Sequence, residues 1–321
     1  MLRERSKFSK KYKTALFAAG AALIVLVLAL LNAFYPFQTM LPAYKLPARG
    51  EGELRIHFVD VGQGDCQIVE FPEGDVLVID AGNGSWKNEN RLIRYLKGIR
   101  PASVSYLATH SDYDHAGGLY ALIKYFGAET VYLPAVSSDT ESDRKLEEAA
   151  RSVGAKTEQL ARYGVIADES GAYAVCLSPH VVDEGDANDS SCVLYLSFAG
   201  IRVLFGGDIS SSREDLLVKE NKLTEGLFDS GEYEVDLADI DILKVSHHGS
   251  ASASSLEWIS LLSPKVAVIS CGRGNAYSHP AAEAVESLYS AQAEIYRTDE
   301  LGSIIIGISN GSYSVLTHIT E

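Results

Sequence analysis

Residues 108–118 read ATHSDYDHAGG. His110, Asp112, Asp114 and His115 fall within six positions, directly after the apolar run VSYL. Imidazole and carboxylate are ligands for zinc, manganese or iron, and a loop at a strand end lets several of them converge on one point. The Gly117-Gly118 pair lets the loop turn tightly into the following segment. Asp and Ser also favour ordinary solvated turns, so a single such residue would carry little weight. Two histidines and two aspartates in the pattern H-x-D-x-D-H point to metal binding instead.

A metal loop needs partners from elsewhere, and the eight histidines bound the choice. His57 and His318 lie in strand-like runs and read as ordinary core or sheet residues. His247 and His248 follow the strand-like DILKVS and precede Gly249. His279 sits in NAYSHP, before a helix that Pro280 would start well. A plain role at that helix start weighs about equally for it. Asp208 ends IRVLFGGD and Asp80 ends DVLVID. Acids and histidines placed repeatedly at strand ends are not what core packing alone would select.

The elements that must position these residues read as follows. Strands are expected over 54–60, 66–71 and 75–80, then a helix over 89–99 and a buried strand over 104–110. A helix over 117–127, a strand in TVYLP and an amphipathic helix over 141–154 complete the first half, with Gly154 as the helix stop. Strands AYAVCLS, SCVLYLSF and IRVLFGGD open the second half. An acidic excursion over 211–239, the strand DIDILKVSHH, two strand–helix units and a terminal hairpin over 302–319 follow. Two strand clusters with interposed helices predict two similar sheet layers with helices outside, and a boundary between halves near residue 165.

The chain of 321 residues is 46% apolar, enough for a sizeable core, and its net charge of −15 disfavours broad attachment to nucleic acid. A polyanionic substrate would need a local positive device such as bound metal. The first thirteen residues carry six basic side chains against Glu4, and residues 14–37 carry no charge. About twenty apolar residues span a bilayer, whereas the core of a signal peptide is nearer 7–15. The expected organisation is a cytoplasmic basic tail (1–13), a single transmembrane anchor (14–36), a Pro/Gly-bearing linker (37–52) and a folded domain (53–321) on the extracytoplasmic side of the cell membrane. A cleaved signal peptide is the competing reading, with LNA at 31–33 a poor cleavage site. Cys66, Cys176, Cys192 and Cys271 show no C-x-x-C spacing. They read as small core residues, with one disulfide left open.

From about residue 53 to the end, the sequence resembles the metallo-β-lactamase superfamily, and more narrowly the metallo-hydrolase domain attached to ComEC competence proteins. The motifs that carry the resemblance are DVGQGD (60–65), VIDAG (78–82), THSDYDHAGG (109–118), NDSSCVL (188–194), GGD (206–208), VSHHGS (245–250), NAYSHP (275–280) and TDELGSI (298–304). The resemblance implies an α/β protein, an αββα sandwich with a metal site at one edge of its two sheets. It implies that His110 and Asp112 help bind one divalent ion and that Asp114, His115 and His247 bind a second, with Asp208 bridging. Asp80 would support the metal loop from behind, as would Asp65. His248 and His279 would contact a phosphate or protonate a leaving group, with Asn188, Ser191 and Asn275 completing the surroundings.

The chain departs from the commonest form of that superfamily. Asp112 stands where a histidine is usual, and the histidine usually found between the loop and the GGD acid has no aligned counterpart, since His180 matches no motif. Asn188 and Ser191 fit the ComEC-like version. Fewer imidazoles and more oxygen ligands favour manganese relative to zinc, so one or two ions of either kind are expected. Asp114 could orient a water or receive its proton. The implied activity is a phosphodiesterase or nuclease acting on DNA, with a separate DNA-uptake channel as a possible partner and the oligomeric state open. Alternatives are a hydrolase of a cell-envelope phosphodiester such as a phosphocholine ester, lactone, thioester or β-lactam hydrolysis, and a non-catalytic tethered partner with a vestigial site.

Overall fold

The computed structural model describes residues 2–34, 41–134, 136, 139–167, 170–179, 187–223 and 233–319. The chain divides into two units, Met1–Pro42 and Ala43–Glu321. The first contains helix α1 (Leu2–Phe34). Among the described residues no helix is long and apolar enough to cross a membrane, so the anchor expected over 14–36 is not shown by the structure. Residues 35 and 36 of the expected anchor and 37–40 of the expected linker lie outside the described residues.

The second unit begins with β1 (Leu54–Phe58), β2 (Gln67–Glu70), β3 (Val76–Ile79), α2 (Trp86–Ile99) and β4 (Val104–Leu107). Short α3 (Tyr113–Ala116), α4 (Leu119–Phe126), β5 (Thr130–Leu133), α5 (Glu141–Val153) and β6 (Lys156–Gln159) follow. The second half holds β7 (Val165–Ala167), β8 (Tyr173–Ser178), β9 (Val193–Phe198), β10 (Ile201–Phe205), α6 (Ser211–Leu223), β11 (Ile242–Lys244), α7 (Leu256–Leu262) and β12 (Val266–Ile269). It closes with α8 (Ala282–Ser290), β13 (Glu294–Arg297), α9 (Thr298–Leu301), β14 (Ser303–Ser309) and β15 (Ser312–Ile319).

Eight strands form one sheet in the order β15-β14-β1-β2-β3-β4-β5-β6, and seven form the other, β13-β12-β11-β10-β9-β8-β7. Ile56, Phe58, Leu77 and Ile79 of the first sheet pack with Leu194, Val203 and Phe205 of the second in one buried layer. Helices α2, α4 and α5 cover the outer face of the first sheet, and α7 and α8 that of the second. Burial on both faces explains why β1 to β3 read as unbroken buried runs. The expected change of sheet near residue 165 coincides with the start of β7. The terminal hairpin, however, returns to the first sheet by pairing β14 with β1.

Two parallel pairs set the position of the site. β3 runs parallel to β4, and β10 runs parallel to β11. Their carboxyl ends therefore deliver Asp80, the 109–115 loop, Asp208 and the 245–249 loop to one edge, where open α/β sheets collect functional groups. The folded unit also starts earlier than residue 53. Tyr44 is buried, and Arg55 donates to the carbonyls of Pro47 and Ala48 at 2.7 Å each.

Candidate metal centre

At the edge of the two sheets, Asp80, Asp65, His110, His115, Asp208 and His248 are buried together. Asp80 holds the loop in place. It accepts the backbone N–H of Thr109 at 2.8 Å and the Thr109 hydroxyl at 2.7 Å. His115 Nδ1 donates to the same carboxylate at 2.8 Å. This bond fixes the tautomer and aims His115 Nε2 inward.

The other two imidazoles obey the same logic. His248 Nδ1 donates to the Ser270 carbonyl at 2.9 Å. His110 Nδ1 lies 3.0 Å from Thr109 Oγ1, whose own proton goes to Asp80, so the ring nitrogen is the donor. In each ring Nδ1 is engaged. His110 Nε2, His115 Nε2, His248 Nε2 and Asp208 Oδ1 are buried without a hydrogen-bond partner among the described residues. Leaving a buried polar group unsatisfied costs about 1–3 kcal/mol, so four of them converging require an explanation. A divalent cation supplies one, because each of these atoms presents a lone pair once the ring nitrogens have given up their protons. Asp65, His115, Asp208 and His248 each offer an atom within 4.8 Å of the others.

Charge reinforces the geometry. Burial alone would lower the affinity of His115 and His248 for a proton, but Asp208 with Asp80 or Asp65 outweighs it and holds both rings well above the ordinary histidine range. Asp208 is driven the other way: burial opposes its charge, yet His115 and His248 hold the carboxyl well below its usual value. His110 falls to about 4, through burial first and the neighbouring His115 second. Without a cation, protons on His115 and His248 balance Asp208, while His110 stays neutral.

The remaining candidates fall around this cluster. Asp114 is half-buried with Oδ2 3.6 Å from His248 Nε2. Asp112 is more exposed, 3.8 Å from His110 Nε2. Ser191 lies 3.2 Å from His110 Nδ1 and accepts the Asp208 backbone N–H at 3.1 Å. Asn188 begins the one-turn helix before it, its carbonyl accepting the Ser191 N–H at 2.9 Å. Asn275 shapes its own loop, donating to the carbonyls of Gly272 and His279 and accepting the N–H groups of Tyr277 and His279. His279 is half-buried with its ring 5.8 Å from that of His247 and 6.1 Å from that of His248. His180 lies outside the described residues.

Two residues sit differently from the expected arrangement. His248, expected to meet the substrate, is the buried histidine of the cluster, 3.3 Å from Asp208 Oδ2. His247, expected to complete the second set of ligands, is partly exposed with Nε2 3.9 Å from Asp208 Oδ2, and its Nδ1 is buried without a hydrogen-bond partner among the described residues. Both residues have positive φ, 49° and 54°, and this abrupt left-handed turn decides which ring points in. Asp65 also belongs to the cluster rather than behind it. Gly64, at φ 129°, permits this, since a Cβ there would collide with the Asp114 carbonyl oxygen. Lys244 was missed altogether. It is fully buried, forms an ion pair with Asp65 and donates to the Gly207 carbonyl at 3.3 Å. Burial works against its charge, but Asp65 and Asp208 keep it protonated. The available signal was a lysine inside the otherwise apolar run ILKV.

The model of the metallo-beta-lactamase superfamily matches residues 59–273. The chain belongs to that superfamily. The metallo-beta-lactamase match takes in Asp65 through His248 and stops before Asn275 and His279. Over 284 residues the chain is 31% identical to ComE operon protein 3 of Bacillus subtilis (strain 168), covering 83% of this chain and 34% of that protein. It is 26% identical over 254 residues to Recombination protein 2 of Haemophilus influenzae, covering 78% and 28%. The chain therefore spans about a third of the length of these relatives, and the resemblance to the competence-protein branch holds. Among solved structures, CmlA, a diiron beta-hydroxylase from Streptomyces venezuelae, aligns with a TM-score of 0.52 at 13% identity, over 84% of this chain and 55% of that one. At that identity the likeness concerns the metallo-beta-lactamase fold alone.

Proposed function

We propose that this chain is a metal-dependent phosphodiesterase that cuts DNA on the outer side of the cell membrane, with α1 as its tether. The observation that carries the reading is the convergence of three inward-facing imidazole Nε2 atoms and Asp208 beside the half-exposed Asp114. His110, Asp112, Asp114, His115, Asp208 and His248 would hold one or two divalent ions, manganese or zinc. When bound, such ions supply Lewis acidity toward water and toward phosphoryl oxygens. Asp114 stays ionised, since His248 and His115 outweigh the effect of its burial, and so can orient a water and take its proton. Burial and the nearby His248 and His247 lower the proton affinity of His279, which favours a neutral ring near pH 7. Gln63 Nε2 lies 3.5 Å from His279 Nδ1, leaving Nε2–H as a donor for a phosphate oxygen.

Three features favour DNA over an envelope phosphocholine ester. The relatives are named for competence and recombination. Tyr277 is 68% exposed and lies nearly parallel to His279, with ring centres 5.6 Å apart, offering a flat face to a base at the mouth of the site. A choline headgroup calls for an enclosing aromatic cage, and one exposed tyrosine is not one. The tether reading rests on the charge-free run after the basic tail and on the exposure of Leu16, Phe17, Leu23, Ile24 and Val25 along α1. A DNA-uptake channel would be a separate partner.

The test incubates the full chain with labelled single- and double-stranded DNA and Mn²⁺ or Zn²⁺, beside Asp114→Ala. Metal-dependent cutting that disappears in the variant supports a nuclease. Intact DNA with metal demonstrably bound overturns it and turns attention to envelope phosphodiesters. Failure to bind metal at all favours the vestigial, non-catalytic reading.

A further inference from the structure

Cys176 on β8 and Cys192, one residue before β9, bring their sulfurs to 3.2 Å inside the layer between the two sheets. Both are buried, at 0% and 3% exposure. β8 and β9 are antiparallel with Cys176 opposite Leu194, and an irregularity between Cys176 and Ser178 shifts the register there. The two side chains meet across the pair on the face turned toward the first sheet. A disulfide needs a separation of about 2.05 Å, so the sulfurs have only about 1.2 Å to close. The Cys176 thiol also donates to the Ser178 carbonyl at 2.9 Å, but neither of the other two cysteines competes for it. Cys66 packs in the helix layer outside the first sheet, and Cys271 in the layer outside the second, with its sulfur 3.3 Å from Asp299.

We propose that Cys176 and Cys192 form a disulfide in the folded protein, and that this bond braces the turn supporting the metal centre. The Cys192 N–H donates to the Thr109 carbonyl at 2.9 Å. Its neighbour Ser191 holds both His110 Nδ1 and the Asp208 N–H. Joining β8 to Cys192 therefore fixes the backbone from which the first metal loop and the GGD turn are both positioned. It also closes residues 177–191 into a loop, which restricts the unfolded chain. In the reaction two S–H bonds break and one S–S bond forms. The two electrons and two protons pass to a small-molecule disulfide such as oxidised glutathione, which leaves as two thiols. Burial makes the exchange slow in the native protein, so the bond forms as the chain folds in oxidising surroundings. This inference stands independently of the substrate.

The full chain is equilibrated with oxidised glutathione in denaturant just below its unfolding midpoint, quenched with acid, fully denatured and alkylated. Two of the four cysteines are expected to escape alkylation until a reductant is added, and a digest should link Cys176 to Cys192. Cys192→Ala should then expose three alkylatable thiols, and Cys66→Ala only one. Protein carrying the link should melt roughly 5–10 °C above the reduced protein. Four alkylated thiols, adducts of glutathione alone, or a link through Cys66 or Cys271 would overturn the proposal.

Discussion

His57 and His115 are both buried, both imidazoles and both beside a carboxylate, yet they do opposite things. His57 has its two ring nitrogens occupied, Nδ1 3.2 Å from the Tyr95 hydroxyl and Nε2 3.3 Å from Glu70. Burial pulls its proton affinity down, and Glu70 only partly restores it. His115 has Nδ1 engaged by Asp80 and leaves Nε2 without a hydrogen bond, 3.1 Å from Asp208 Oδ2. A histidine that serves structure closes its hydrogen-bonding account. One that serves a metal leaves a lone pair open, and the fold bears that cost. The distinguishing feature is neither burial nor a carboxylate neighbour but the unfilled nitrogen.

Four changes would break or sharpen that contrast. Asp208→Ala should remove the shared carboxylate of the open cluster, eliminating stoichiometric metal by elemental analysis and lowering hydrolysis by on the order of a thousandfold. Retained metal with retained activity would sink the assignment. Asp80→Asn keeps the shape but weakens the grip on His115 Nδ1. Metal affinity should fall by about 10–100-fold in a chelator competition, with the circular dichroism spectrum unchanged.

His57→Phe should do the reverse. It should cost about 1–3 kcal/mol in denaturant unfolding, since Glu70 loses a buried partner, while metal affinity stays within about twofold. A drop in metal affinity as large as that of Asp80→Asn would erase the distinction drawn between the two histidines.

The smallest effect is in pH dependence, and its sign differs between the sites. The folded-state proton affinity of His57 is lowered from 6.5, so its contribution to stability is present above that pH and is lost as pH falls through the folded value. In metal-free protein, burial lowers the affinity of His115 but Asp208 and Asp80 raise it further. Its contribution is full below 6.5 and is lost as pH rises through the raised value. Melting the chelator-treated protein across pH should show His57→Phe flattening the acid limb and His115→Ala the alkaline limb. Both variants flattening the same limb would contradict the picture.

Much of this was legible in the residues. The strand runs LRIHF, VLVI and IRVLF appear where their apolar patterns put them, as do α5 and its glycine stop. β6, with the burial pattern of a mostly exposed edge strand, and short β7 escaped notice because neither carries a strong apolar alternation. The return of the terminal hairpin to β1 was equally invisible, since pairing across some 250 residues of chain depends on which edge remains free. In the site, H-x-D-x-D-H and GGD announced their chemistry because several ligand types crowd a strand end. Lys244 did not, because it acquires its meaning only from Asp65, which the DVGQGD resemblance alone had placed near the site.

The amino-acid sequence by itself determined which ligand chemistries exist and that they sit at strand termini. Side-chain type and the period of apolar residues are local properties, and local properties survive in a linear reading. Only the tertiary structure decided that His248 rather than His247 turns inward, that Lys244 neutralises Asp65, and that Cys176 meets Cys192. Each of those depends on a backbone turn or a strand register that brings distant residues within a few ångströms. Contact at that range is set by the packing of the two sheets as a whole, and no single segment encodes it.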